Sequence, residues 1–208
     1  MNRSTLLIRG KNKMQIETQR WSKITRWLHT LIALSLTIQL ILSLVLAPPD
    51  ELDDASELAK AAMEGHELVG LVAAGLLLLH WLWMLIPNND VKLGNLFPII
   101  GTGLQQTKSD IAYLLKNKKP PYGDHGGLSG LVHGLGILIA SAIAATGVGL
   151  YIVMDFTPQG FENPLFEEIA EVHELFGNFM WAYLIAHVFA AAWHEYSGER
   201  LISRMFRL

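Results

Sequence analysis

Four long apolar runs, at about 25–47, 64–86, 128–154 and 172–194, decide what this chain can fold into. Each has the length of about 20 helical residues needed to cross roughly 30 Å of hydrocarbon. In lipid, backbone N–H and C=O groups must pair within their own segment or within a closed barrel, so runs of this kind become helices. Composition agrees: 51% of the residues are hydrophobic and the mean hydropathy is +0.30. The expectation is an all-α membrane protein, a four-transmembrane-helix bundle. The first run reads as an uncleaved span, because a long charged stretch precedes it and Ala47-Pro48-Pro49 offers no small-x-small cleavage site.

Lys and Arg set the orientation. Residues 1–26 hold seven of the 16, the stretch 87–127 holds five, the tail after Trp193 holds three, and only Lys60 falls in the other two loops. The positive-inside rule puts both termini in the cytoplasm. The expected organisation is a cytoplasmic arm over 1–24, a transmembrane domain over 25–194 with a cytoplasmic loop at 87–127, and a cytoplasmic tail over 195–208. The outer loops are acidic, with Asp50, Glu51, Asp53, Asp54 and Glu57 in one and Asp155, Glu162, Glu167, Glu168 and Glu171 in the other. Such a face favours a cationic partner and repels small anions. Within the central loop, Ile111, Leu114 and Leu115 share a helical face beside lysines, as in a short interfacial helix, although an ordinary solvated connector fits equally. Pro120-Pro121-Tyr122-Gly123 then breaks the chain before the third span.

One phrase occurs twice. HELVGLVAAGLLLLH spans 66–80 and HELFGNFMWAYLIAH spans 173–187, at the outer ends of two parallel spans. Fourteen residues at about 100° each fall within roughly 40° of whole turns, and at about 1.5 Å rise they separate the two histidines by roughly 21 Å. Each helix therefore presents one His near each membrane surface on a common face. Histidine inside a membrane marks a functional site or an interhelical hydrogen bond. Two at matching depths on two helices favour the first.

The motif is not that of a zinc protease, because the position four residues after each leading His is Gly70 or Gly177 and not a second ligand. A glycine there leaves room for a flat macrocycle, or simply lets two helices approach. The absence of cysteine excludes disulfides, iron-sulfur clusters, zinc-thiolate sites and covalently attached haem. Neutral imidazoles on opposite sides of a haem iron fill its coordination, which suits electron transfer over oxygen binding. His29 lies just inside the first span, at about the depth of His80 and His187, so three histidines compete for two axial positions on an inner haem.

RWLHTLIAL in the first span, HELVGLVAAGLLLL in the second, HGGLSGLVHGLGIL through ATGVGLY in the third and EVHELFGNFMWAYLIAHVFAAAWHEY in the fourth carry a resemblance. From Trp21 to Tyr196 the chain resembles the bacterial cytochrome b561 family, which includes the b-type cytochrome subunits of membrane-bound hydrogenases. The resemblance implies a bundle holding two b haems and exchanging electrons with membrane quinone. It implies that His66 and His173 are axial ligands of the outer haem iron, and His29 and His187 those of the inner. Where this chain has His80, many relatives carry an arginine near a haem propionate. His80 thus has three readings: a propionate or quinone contact, or a ligand in place of His29. Spacing alone allows His29 or His80, and the resemblance favours His29.

Other residues have weaker claims. His133, near the start of the third span, is a candidate for contact with a propionate or quinone, or for packing. His194 falls at the interface and His125 at the surface. Arg26, Lys23 and Arg20 cluster where propionates need neutralising, with Arg26, one turn before His29, singled out. Interfacial belts account for Trp21, Trp27, Trp81, Trp83 and Trp193 without electron chemistry.

The expected function is a dihaem b-type cytochrome carrying electrons across the bacterial inner membrane between the quinone pool and a periplasmic electron-transfer protein. Alternatives are a superoxide:quinone oxidoreductase, which the acidic outer loops disfavour, and the membrane-anchoring cytochrome b subunit of a periplasmic dehydrogenase or hydrogenase. A non-redox metal-binding membrane protein ranks last. No nucleic-acid partner is expected, and the sequence specifies no oligomeric state.

Overall fold

A computed structural model describes residues 21–87, 89–116, 126–157 and 159–206. Arg20, His125, the break at 120–123 and nearly all of the 1–24 arm lie outside the described residues. Four long helices dominate: α1 (Lys23–Leu42), α2 (Glu57–Leu85), α5 (Gly127–Phe156) and α6 (Pro164–Tyr196), all long and apolar enough to span a membrane. Between α2 and α5 lie α3 (Leu93–Leu96) and α4 (Gly101–Leu115), and after α6 comes α7 (Leu201–Met205). The central loop is therefore helical where Ile111, Leu114 and Leu115 share a face, and α4 packs against α5. Both α1–α2 and α5–α6 are antiparallel neighbours, and α2 packs on α5. Toward α1 and α2, α6 presents His187 and His173 across the interior.

The helix ends depart from the apolar runs for local reasons. Ser22 caps α1, accepting from the Thr25 N–H at 3.1 Å. At the other end α1 stops at Leu42 and residues 43–45 form a turn, short of the expected 47. Ser56 caps α2 and Asn163 caps α6, whose first residue is Pro164. Those caps start both helices before the apolar stretch, so acidic turns such as Glu57 and Glu167 project as helix beyond the expected spans.

The bundle's core is thin and its exterior greasy. Ile32, Leu40, Leu77, Ala140 and Met180 form the buried centre, ringed by Leu36, Ile137, Trp181 and Leu184. Outward, Leu68 is 66% exposed and Phe189 70%. Apolar exposure on that scale suits lipid and not water. Trp27 and Trp193 also point outward, as an interfacial belt requires. Trp81 and Trp83 do not fit the belt reading: their indole N–H groups donate to Ser141 Oγ at 2.9 Å and Thr25 Oγ1 at 3.0 Å, stitching α2 to α5 and to α1.

Candidate functional site

Each copy of the repeated phrase lies within one unbroken helix, His66 and His80 on α2, His173 and His187 on α6. The roughly 21 Å separation along each axis therefore holds. At one end of the bundle His66 faces His173, with ring centres 6.2 Å apart. At the other His187 faces His29 of α1, with ring centres 6.4 Å apart. Two imidazoles sharing one metal atom through bonds of about 2 Å would have ring centres roughly 6 Å apart. Both pairs have the spacing that a shared iron requires. The apolar centre of the bundle lies between them.

Around His66 and His173, the pair expected toward the outer surface, the neighbours determine which nitrogen is available. His173 Nδ1 lies 2.9 Å from Thr146 Oγ1. The single proton of that hydroxyl is shared between the carbonyls of Ala142 and Ile143, at 2.9 and 3.0 Å, so toward His173 the oxygen accepts. Nδ1 then carries the proton and Nε2 keeps its lone pair for a metal. The next residue, Gly147, lets the ring lie against α5, since a Cβ there would stand 3.0 Å from His173 Cε1. On the other side Gln39 of α1 donates from Nε2 to the His66 carbonyl at 2.6 Å. The Gln39 amide fills the space beside Gly70, so this glycine admits a neighbouring helix's side chain. Gly177 has only Ile143 Cδ1 near it, at 3.8 Å, and its flank stays clear.

At the opposite end, the one expected to be inner, four helices each contribute a histidine. His29, His80, His133 and His187 line one cavity of about 190 Å³ together with apolar residues such as Ile32, Leu36 and Met180. Around His187, Tyr183 stacks at 5.4 Å and His133 sits edge-on at 5.2 Å, nearer than rings on opposite sides of an iron would be. His133 donates from Nδ1 to the Ser129 carbonyl at 2.7 Å. Tyr183 reaches its stacking position because residue 136 is glycine; a Cβ there would overlap the phenol ring. His80 is buried, and its Nδ1, like those of His29 and His66, is enclosed without a hydrogen-bond partner. An enclosed polar atom of this kind costs about 1–3 kcal/mol unless something else pairs with the group. Imidazoles held in pairs at this spacing fit a haem bound from both faces. Among the described residues no three His, Asp or Glu side chains converge to hold a bare ion.

The helix start that carries His29 is tied down from the loop that follows α2. Asp90 accepts the Ser22 N–H on Oδ2 and the Thr25 hydroxyl on Oδ1, both at 2.7 Å. Asp90 also lines the inner cavity. Half-buried Arg26 lies between Thr25 and His29, while Lys23 is exposed. His194 stands apart, its Nδ1 2.6 Å from Glu199 Oε2.

Sequence reasoning missed Asp90, Gln39, Thr146 and Tyr183. Thr146 and Gly147 lie within ATGVGLY, and Ser129 and Gly136 within HGGLSGLVHGLGIL, so pattern marked these stretches without showing which atoms serve which ring. Asp90, in a polar loop, gave no signal at all.

The family model of prokaryotic cytochrome b561 matches residues 20–208. No significant match is found among curated proteins or solved structures. The match takes in all four spans and both histidine pairs. The chain belongs to the prokaryotic cytochrome b561 family and is a haem b-binding membrane protein of electron transport.

Proposed function

We propose that this chain is a dihaem cytochrome b that carries electrons across the inner membrane between the quinone pool and a periplasmic redox partner. In this reading His66 and His173 would hold the iron of the outer haem, and His29 and His187 that of the inner. Both termini and the 87–127 loop are cytoplasmic in this reading, which the distribution of Lys and Arg supports. The observation that carries the reading is the pair of facing imidazoles at each end of the bundle, 6.2 and 6.4 Å between ring centres. Haem, when bound at these sites, would supply one-electron redox chemistry.

The chain's own residues hold and insulate these sites. Thr146 fixes the His173 tautomer and so its ligating nitrogen. Tyr183 stacks on His187 and limits its rotation. Ile32, Leu40, Leu77, Ala140 and Met180 keep water from the space between the two ends. Arg26 and Lys23 supply positive charge at the inner mouth, where propionates would otherwise be costly. His80 takes no axial position and, with His133, remains available to a propionate or to quinone in the inner cavity. The acidic outer loops attract a cationic redox protein and repel superoxide.

A reduced-minus-oxidised visible spectrum of the purified protein, with haem quantified per chain, tests the reading. Two b haems are expected. His66→Ala and His173→Ala should lose one of them, and His29→Ala and His187→Ala the other. One haem per chain, or none, would overturn the proposal.

A further inference from the structure

Beyond Tyr196 the chain folds back, with α7 packed against α6. It reverses through Gly198 and Arg200, both in the left-handed region with φ of 88° and 53°. His194 holds Glu199 across this turn. The Glu195 carboxylate on α6 then accepts the Ile202 N–H at 2.9 Å, the Ser203 N–H at 3.4 Å and the Ser203 hydroxyl. A helix as short as α7 does not persist by itself in water. Here the carboxylate of another helix fastens its first turn.

That fastening aims the residues after it at the inner site. Met205 lines the cavity shared by His29, His80, His133 and His187. Phe206 meets the His29 ring edge-on, with centres 5.8 Å apart and planes at 65°. His29 Nδ1 has no hydrogen-bond partner to orient its ring, whereas His173 has Thr146. Packing against Phe206 therefore does for His29 what a hydrogen bond does for its outer counterpart.

We infer that residues 199–206 form a cap fixed under the inner haem site, in which Phe206 is a positioning residue for His29 and Met205 excludes water. The inference rests on His29 and His187 being the inner pair. Its physical consequence is twofold. Without the cap, His29 is freed to swing off the iron, opening an axial position. Water admitted to the site favours the more highly charged ferric form and lowers the reduction potential.

The test uses the purified full chain carrying its haems, with Phe206→Ala, Glu195→Ala and the conservative Phe206→Tyr compared by redox titration and by carbon monoxide difference spectra of the reduced protein. The inner haem is the one that His29→Ala removes. Phe206→Ala and Glu195→Ala should keep both haems, lower the inner potential and make only that haem bind carbon monoxide, leaving the outer potential unchanged as an internal check of folding. Phe206→Tyr should behave like the wild type. Wild-type potentials and no carbon monoxide binding in both alanine variants would overturn the cap, as would parallel loss of both haems, which indicates a general packing role. A wild-type protein without two haems, or a His29→Ala variant that keeps both, would instead bring down the ligand assignment and the cap with it.

Discussion

The two ends of the bundle solve the same problem with different means. At the outer end two histidines face one another, and a threonine hydroxyl, a glycine and a glutamine amide support them from α1 and α5. At the inner end four histidines from four helices share one cavity, with a stacked tyrosine, an aspartate bracing α1 and a fold-back of the C-terminal segment. Among the described residues no further imidazole stands beside His66 and His173, so their matching heights on two helices already indicate which rings meet. The inner site has two to spare, and only three-dimensional placement separates a facing ring from a flanking one. A site with surplus ligands gives the chain room for further chemistry, and it also needs more bracing to keep one arrangement.

The sharpest break of this comparison is His173→Ala. It should remove the outer haem, halving the b-type absorbance, and leave the inner one; loss of both would show that the ends are not independent. Next in size is Gly136→Ala, whose new methyl overlaps the Tyr183 ring. Overpacking of this kind costs about 1–3 kcal/mol, and a lowered thermal midpoint with a perturbed inner haem alone is the expected result. Asp90→Ala leaves the Ser22 N–H and Thr25 hydroxyl without their carboxylate, a loss of about 1.5–3 kcal/mol for hydrogen bonds to a charged group. Haem should then dissociate more readily from the inner site than from the outer, as read by transfer to apomyoglobin. Thr146→Val does the converse at the outer site: loss of the acceptor for His173 Nδ1–H should weaken haem there by about 10–100-fold. The smallest effect is expected for His80→Ala, which should keep both haems; disappearance of the inner one would make His80 and not His29 the partner of His187.

The four spans were legible because lipid leaves a long apolar run no alternative to a helix, and the pairing of His66 with His173 because a 3.6-residue period converts spacing into depth. Helix ends were less legible. Hydropathy cannot see the turns of α2 and α6 that Ser56 and Asn163 start in polar sequence. Nor does it distinguish Trp27, which faces outward, from Trp83, which bonds into the bundle, since both are tryptophans near the same end of neighbouring helices.

By itself, the sequence determined the family, the four spans and the spacing of the paired histidines along α2 and α6, because these depend on residue type and on position along a single helix. The tertiary structure decided what stands beside each ring. Phe206 reaches His29 across 177 positions of chain and Asp90 reaches Thr25 across 65, and no local pattern records such contacts. Whether a histidine is braced by a hydroxyl, a ring or nothing depends on how separate helices approach. That is a property of the assembled bundle and not of any one segment.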